Sequence, residues 1–159
     1  MTSLQIDISS LIREAQVALL GSTPFLVSHH DMEDLAANNH LEEIVGLSFN
    51  IYALWSRPTP QSTWTLMYIG ERHSHSGLER LGEHLFKVGK GTQSKLEEVR
   101  SILREGAQMG VTVILVEPES MRLAIEEELL QRNSLYLGQL PWNKKGVTRA
   151  KFRIPPPEA

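Results

Sequence analysis

Residues 49–70 read Phe49-Asn50-Ile51-Tyr52-Ala53-Leu54-Trp55-Ser56-Arg57-Pro58-Thr59-Pro60-Gln61-Ser62-Thr63-Trp64-Thr65-Leu66-Met67-Tyr68-Ile69-Gly70, and this stretch decides the fold. Residues 49–55 and 64–69 are rich in aromatic and branched aliphatic side chains, which suit a pleated, half-buried surface. Between them Pro58 and Pro60 each restrict their own φ and bias the preceding residue toward extended backbone, so residues 57–62 form a turn-rich connector. The two runs are therefore predicted to pair as an antiparallel hairpin. A third run, residues 111–116, lies between Gly110 and Pro118 and is dominated by β-branched residues. Such a run predicts a strand buried on both faces.

Helical spacing fills the gaps. Ile8, Leu11, Ile12, Ala15, Ala18 and Leu19 recur on one face, and Gly21 supplies a stop. Residues 31–47 are predicted as one or two shorter helices with a break at Asn38-Asn39. Leu78, Leu81, Leu85 and Val88 mark a further helix, and Leu96, Val99, Ile102 and Leu103 another before Gly106. Residues 119–132 form the last, with Ser120 as the expected N-cap. The expected fold class is α+β: a small three-stranded antiparallel sheet flanked by helices. It divides into a helical N-terminal extension (1–48), a main domain (49–147) and a basic, Pro-rich tail (148–159).

With 159 residues the chain is long enough to bury a core as one domain. There is no cysteine, which excludes a disulfide framework and thiolate metal sites and fits a reducing cytoplasm. Arg13 and Glu14 interrupt the only early apolar stretch, so no signal peptide is expected, and no run is long enough to cross a bilayer. The expectation is a soluble, cytoplasmic protein with no membrane partner. A net charge of −3 argues against a nucleic-acid coat protein. The balance is uneven, however, because Lys144, Lys145, Arg149, Lys151 and Arg153 cluster without an intervening acid. Such a cluster either neutralises phosphates or is a solvated tail.

A few side chains could carry chemistry. On a helical wheel Glu126 falls between Leu129 and Leu130, in the middle of an aliphatic stripe. A carboxylate there is costly unless a cation meets it, and oxygen ligands suit magnesium. The alternative is a glutamate that reaches water from the stripe's edge, as Glu127 and Glu128 are expected to do. Arg80 and His84, four apart, share one helix face at the margin of an apolar stripe. The guanidinium could offset charge on a phosphodiester, and the imidazole could bind phosphate or relay a proton. Tyr52 and Tyr68 are expected as cross-strand neighbours. Near a cation or arginine a phenol becomes acidic enough to take a proton from water; otherwise the pair simply stacks in the sheet. Lys95 opens a helix after Gly89-Lys90-Gly91-Thr92, whose spacing is not that of a Walker loop but allows a backbone contact to phosphate. His29-His30-Asp31 and His73-Ser74-His75 lack matching distant ligands and are not read as metal clusters.

The triads Asn50-Ile51-Tyr52 and Tyr68-Ile69-Gly70, followed in order by Arg80, Glu126 and Asn143, resemble the GIY-YIG nuclease superfamily over residues 49–147. The resemblance implies a three-stranded antiparallel sheet with helices and metal-dependent hydrolysis of phosphodiester bonds in double-stranded DNA. Tyr52, Tyr68 and Gly70 match the triads, Arg80 the helical arginine, Glu126 the metal-binding glutamate and Asn143 the terminal asparagine. His84 resembles the histidine of restriction-enzyme members. The segment from Ser94-Lys95 to Gly106, with Pro141-Trp142-Asn143, resembles phage endonucleases of the endonuclease II type, in which a lysine at the Lys95 position is functional. Asn50 departs from the pattern, which has glycine there.

The function so implied is a DNA endonuclease of restriction or phage type, using Mg²⁺ or Mn²⁺ held by Glu126. Tyr52 would be the base, helped by Tyr68 or Lys95, with Arg80 and His84 stabilising charge and Asn143 orienting the site. Gly70, Lys90, Lys144 and Lys145 are the expected nucleic-acid contacts. Cutting both strands favours a homodimer or homotetramer. A non-cleaving nucleic-acid-binding module and a nuclease toxin are the alternatives.

Overall fold

The computed structural model describes residues 1–29, 39–40, 44, 46–86, 94–137 and 140–143. In chain order the elements are α1 (Ser9–Leu20), β1 (Phe25–Leu26), β2 (Ser28–His29), β3 (Asn39–His40), β4 (Ile51–Arg57), β5 (Thr65–Glu71), α2 (Gly77–Leu85), α3 (Leu96–Arg104), β6 (Gln108–Ile114) and α4 (Arg122–Leu137). Short 3₁₀ turns at Ser74–Ser76 and Glu119–Met121 lead into α2 and α4.

The fold is α+β with an antiparallel sheet of four strands, ordered β1-β6-β4-β5. The three expected strands are its β6-β4-β5 part. The fourth comes from the N-terminal extension, where Phe25 pairs with Val111 and Leu26 with Gly110. A two-residue strand is too short to leave a periodic signal, which is why sequence reading stops at three. The extension is also not purely helical. Asn39–His40 pairs with Ser28–His29 as a small hairpin, where a helix break was expected, and most of residues 31–47 lie outside the described residues. The third strand begins earlier than read, at Gln108, and ends at Ile114.

Period-two alternation along β4 builds two cores. Tyr52 and Leu54 face one side, where Leu81 and Leu85 of α2 and Leu96, Val99 and Leu103 of α3 cover them. Ile51, Ala53 and Trp55 face the other, covered by Ile12, Ala15 and Leu19 of α1 and Ile125, Leu129 and Leu130 of α4. Both faces are dry, so the strand reads as a continuous apolar run. Ser120 does not cap the last helix: it lies within the 3₁₀ turn, which starts after Pro118 with no side-chain cap bond. The free edge of β5 is covered by Trp142, whose N–H donates to the Met67 carbonyl at 3.0 Å, and by Asn143. That cover removes an open template for strand pairing.

Helix α1 is part of the core. Gln16 and Asn133 exchange amide hydrogen bonds across α1 and α4 at 3.0 and 3.2 Å, and Leu19 is fully buried. Leu19→Ala is expected to lower unfolding free energy by about 2–5 kcal/mol. Urea denaturation measures this; a loss below about 1 kcal/mol would place α1 outside the cooperative core.

Candidate active site

The register of β4 on β5 assembles the site. Tyr52 pairs with Gly70 and Leu54 with Tyr68, so both tyrosines stand on the same face as diagonal neighbours. Their ring centroids are 6.1 Å apart. A Cβ on Gly70 would meet the Tyr68 ring at 2.6 Å and the Tyr52 phenol at 2.7 Å. Only glycine lets both rings lean over this point of the strand. Gly70 is therefore buried beneath the phenols and forms the floor of the site, rather than the nucleic-acid contact expected of it.

Helix α2 closes on this face because Gly77 lets it approach Phe49; a Cβ there would come within 2.9 Å of the Phe49 carbonyl oxygen. The approach brings His84 against both tyrosines, with centroids 5.7 Å from Tyr52 and 5.2 Å from Tyr68. His84 is fully buried. Its Nδ1 receives the backbone N–H of Lys95 at 3.0 Å. A backbone N–H can only donate, so Nδ1 is bare and the proton of the neutral ring sits on Nε2. Nε2–H then donates to Tyr52 Oη at 2.9 Å. Burial, with the charges of Arg80 and Lys95, pulls the His84 pKa down to about 3. The ring is a fixed hydrogen-bond donor, and both nitrogens are committed, which argues against the proton-relay role expected from sequence.

Arg80 lies one turn before His84. Its Nη1 donates to Glu83 Oε2 at 2.6 Å, with the two side chains only 12% and 14% exposed. Burial works against the guanidinium charge, but the Glu83 bond and the neighbouring phenols raise its pKa above the usual value. Glu83, three residues after Arg80, went unassigned in the sequence; its i,i+3 spacing was the available signal. The Glu83 carbonyl also accepts the Ser94 hydroxyl at 2.6 Å, tying α2 to the start of α3.

The phenols do not become acidic here. Burial, reinforced by the Tyr68 phenol, raises Tyr52 well above 10, and Arg80 only opposes this. Burial raises Tyr68 too, with Glu126 adding to the shift, while Arg80 and the Tyr52 hydrogen bond pull the other way. Desolvation outweighs the arginine, contrary to the expectation from sequence. Tyr52 is 1% exposed, whereas Tyr68 is half-buried and reaches the surface.

Glu126 comes from α4, on the opposite layer of the sheet, and is 3% exposed. Its charge nonetheless acts on Tyr68, which stands on the outermost strand. Glu127 and Glu128 are half-buried rather than solvated. Lys95 is 7% exposed with Nζ 5.7 Å from the Tyr68 ring centroid, within cation–π range. Asn143 accepts the Ile69 N–H and donates to the Ile69 carbonyl, both at 2.8 Å, between Tyr68 and Gly70. It holds the strand that carries the site. Comparison with family profiles, curated proteins and solved structures finds no match.

Five of the residues read from sequence, Tyr52, Tyr68, Arg80, His84 and Lys95, thus form one contiguous cluster, with Glu126 in electrostatic reach. Lys90, Lys144, Lys145 and the rest of the basic tail lie outside the described residues. Among the described residues no three His, Asp or Glu side chains are grouped to hold a metal ion.

The His84 shift makes stability pH-dependent. Its folded pKa lies below the unfolded 6.5, so the unfolded chain binds more protons and stability falls as pH drops from 6.5 toward 3. Between pH 7 and pH 5 this costs about 2 kcal/mol. Urea titrations of the wild type and His84→Gln should differ by that component; parallel pH profiles would mean the imidazole is not held neutral.

Proposed function

We propose that this chain is a metal-dependent DNA endonuclease, of the restriction or phage type that its tyrosine triads resemble. The observation that carries the reading is the cluster of two phenols, a guanidinium and a neutral imidazole on one sheet face, with a buried carboxylate acting on the nearer phenol. That set joins a surface-reaching phenol, able to take a proton once ionised, to groups that offset phosphate charge.

Arg80, anchored by Glu83 beside both phenols, would bind the scissile phosphate and stabilise its added negative charge. Lys95 adds a second positive charge near Tyr68. Tyr68, which reaches the surface and can release its own proton to solvent, is the better candidate to accept, as the phenolate, a proton from the attacking water. Tyr52 is 1% exposed, and its oxygen already accepts a hydrogen bond from His84 Nε2–H, so its role would be to steady a phenolate formed at the adjacent Tyr68. This reverses the roles expected from sequence.

Glu126 is the residue that would hold Mg²⁺ or Mn²⁺. A single carboxylate would leave phosphate and water oxygens to complete the shell, which suits magnesium and needs no cluster of acids. A buried carboxylate whose charge raises Tyr68 fits such a cation, because neutralising that charge removes one cause of the raised phenol. When bound, the ion would supply Lewis-acid stabilisation of the phosphate. Cleavage of both strands calls for a homodimer or homotetramer.

One observation favours a second reading, a module that binds nucleic acid without cutting: the residues around the two phenols acidify neither. Supercoiled plasmid separates the two. Nicking or linearisation with Mg²⁺, lost in EDTA and in Glu126→Gln, is the expected result. Binding without cutting under Mg²⁺ or Mn²⁺ would establish the second reading, and cutting by Glu126→Gln would remove the metal assignment.

The order of the phenols is tested separately. Tyr68→Phe is expected to lower kcat by about 100-fold or more. Tyr52→Phe should cost about 10-fold, in line with one supporting hydrogen bond. Single-turnover rates decide this, and a larger loss in Tyr52→Phe would return the base to Tyr52.

A further inference from the structure

We infer that Asn50 is a positioning residue, whose side chain holds the exit toward the helix carrying Glu126 in one frame with Tyr52, while its backbone carbonyl holds the exit toward the helix carrying Arg80 and His84. Its kinetic consequence rests on the nuclease reading above; its geometry does not.

Asn50 is fully buried, and all four of its polar atoms are engaged. Its N–H donates to the Ile114 carbonyl at 3.1 Å, and its carbonyl accepts the Arg72 N–H at 3.0 Å. Its side-chain Oδ1 accepts the Val116 N–H and its Nδ2 donates to the Val116 carbonyl, both at 2.8 Å. The amide therefore copies a peptide unit. It adds a rung to the β4–β6 ladder two residues beyond Ile114, where β4 has no backbone left to pair.

The position of this clamp gives it meaning. β4 lies between β5 and β6, and residue 50 stands where both neighbours leave the sheet. The segment after Arg72 runs directly into α2, which carries Arg80 and His84. The segment after Val116 runs directly into α4, which carries Glu126. One side chain and one peptide thus bind the exits toward both helices, two residues before Tyr52.

A second set of bonds joins the same two exits. Glu119 accepts from the Ser74 backbone N–H and from the Ser74 hydroxyl, and lies 3.1 Å from His73 Nδ1. Arg122 Nε donates to Glu71 at 2.8 Å. These pairs are partly exposed and of the kind that contributes little individually. Asn50 is the buried member of the frame. A glycine at position 50 would leave the Val116 N–H and carbonyl without the amide, at a residue only 7% exposed. The exit toward α4 would then shift to find other partners, and Glu126 would shift with it.

The test compares ¹⁵N-labelled wild type and Asn50→Gly, both checked for folding by far-UV circular dichroism. Backbone amide shifts are expected to move along the exit after Val116 and at Glu126, which is not bonded to residue 50, while Arg80 and His84 keep theirs, because the carbonyl that accepts the Arg72 N–H survives in glycine. In plasmid cleavage kcat should fall about 100-fold, the scale of a misplacement near 1 Å, while KM stays within about twofold. A residue that merely stabilised the fold would lower the active fraction on heating but leave kcat per folded molecule unchanged. Amide shifts confined to residues next to positions 50 and 116 would overturn the inference, and so would an unchanged kcat. A wild-type chain that cuts no DNA sinks the nuclease reading alone, and the amide shifts then decide the placement. Should Asn50→Gly fail to fold, Asn50→Ser carries the same test, since its side chain is uncharged and too short to bond both the N–H and the carbonyl of Val116.

Discussion

The pairing of Tyr52 with Gly70 across β4 and β5 is the constraint on which the rest depends. It puts two large phenols on one face at a point where the partner strand has no side chain to resist them. A slip of one residue would turn Tyr52 toward the α1–α4 side and present Ile51 to α2. Each neighbouring element is therefore arranged to hold that register. Asn50 extends the ladder at one end of β4, and Asn143 grips Ile69 on the far edge of β5. Two asparagine side chains do the work of missing backbone, one on each side of the hairpin.

The site itself is a contest between burial and charge. Burial dominates at His84, which stays neutral, and at both phenols, which stay protonated. Arg80 keeps its charge because Glu83 meets it. The resting cluster is thus a hydrogen-bonded chain from the Lys95 N–H through His84 to Tyr52, with the Tyr68 ring packed beside it. Burial separates the two phenols, Tyr68 half-buried and Tyr52 enclosed behind it.

Much of this was legible along the chain. The β4–β5 hairpin, α2, α3 and α4 follow from local periodicity and turn residues, and so does the place of Glu126 on its aliphatic stripe, though not its burial. Other features were not. Strand β1 is two residues long and exists only because β6 offers it an edge. Asn50 looked like a departure from a pattern because its partner, Val116, is distant in sequence. Gly70 looked like a possible phosphate contact because nothing in the sequence shows which rings lie above it. The acidified tyrosine was expected from the nearby arginine alone, before the degree of burial was known.

Local sequence determined which segments become strands and helices, and which polar side chains fall on apolar faces, because those depend on steric preference and spacing along a few turns of chain. Tertiary structure alone decided the tautomer of His84, the protonation of the phenols, the anchoring of Arg80 and the reach of Glu126 across layers. Each of these depends on desolvation and on partners brought together from separate elements, quantities that come into being only when the sheet is covered on both faces.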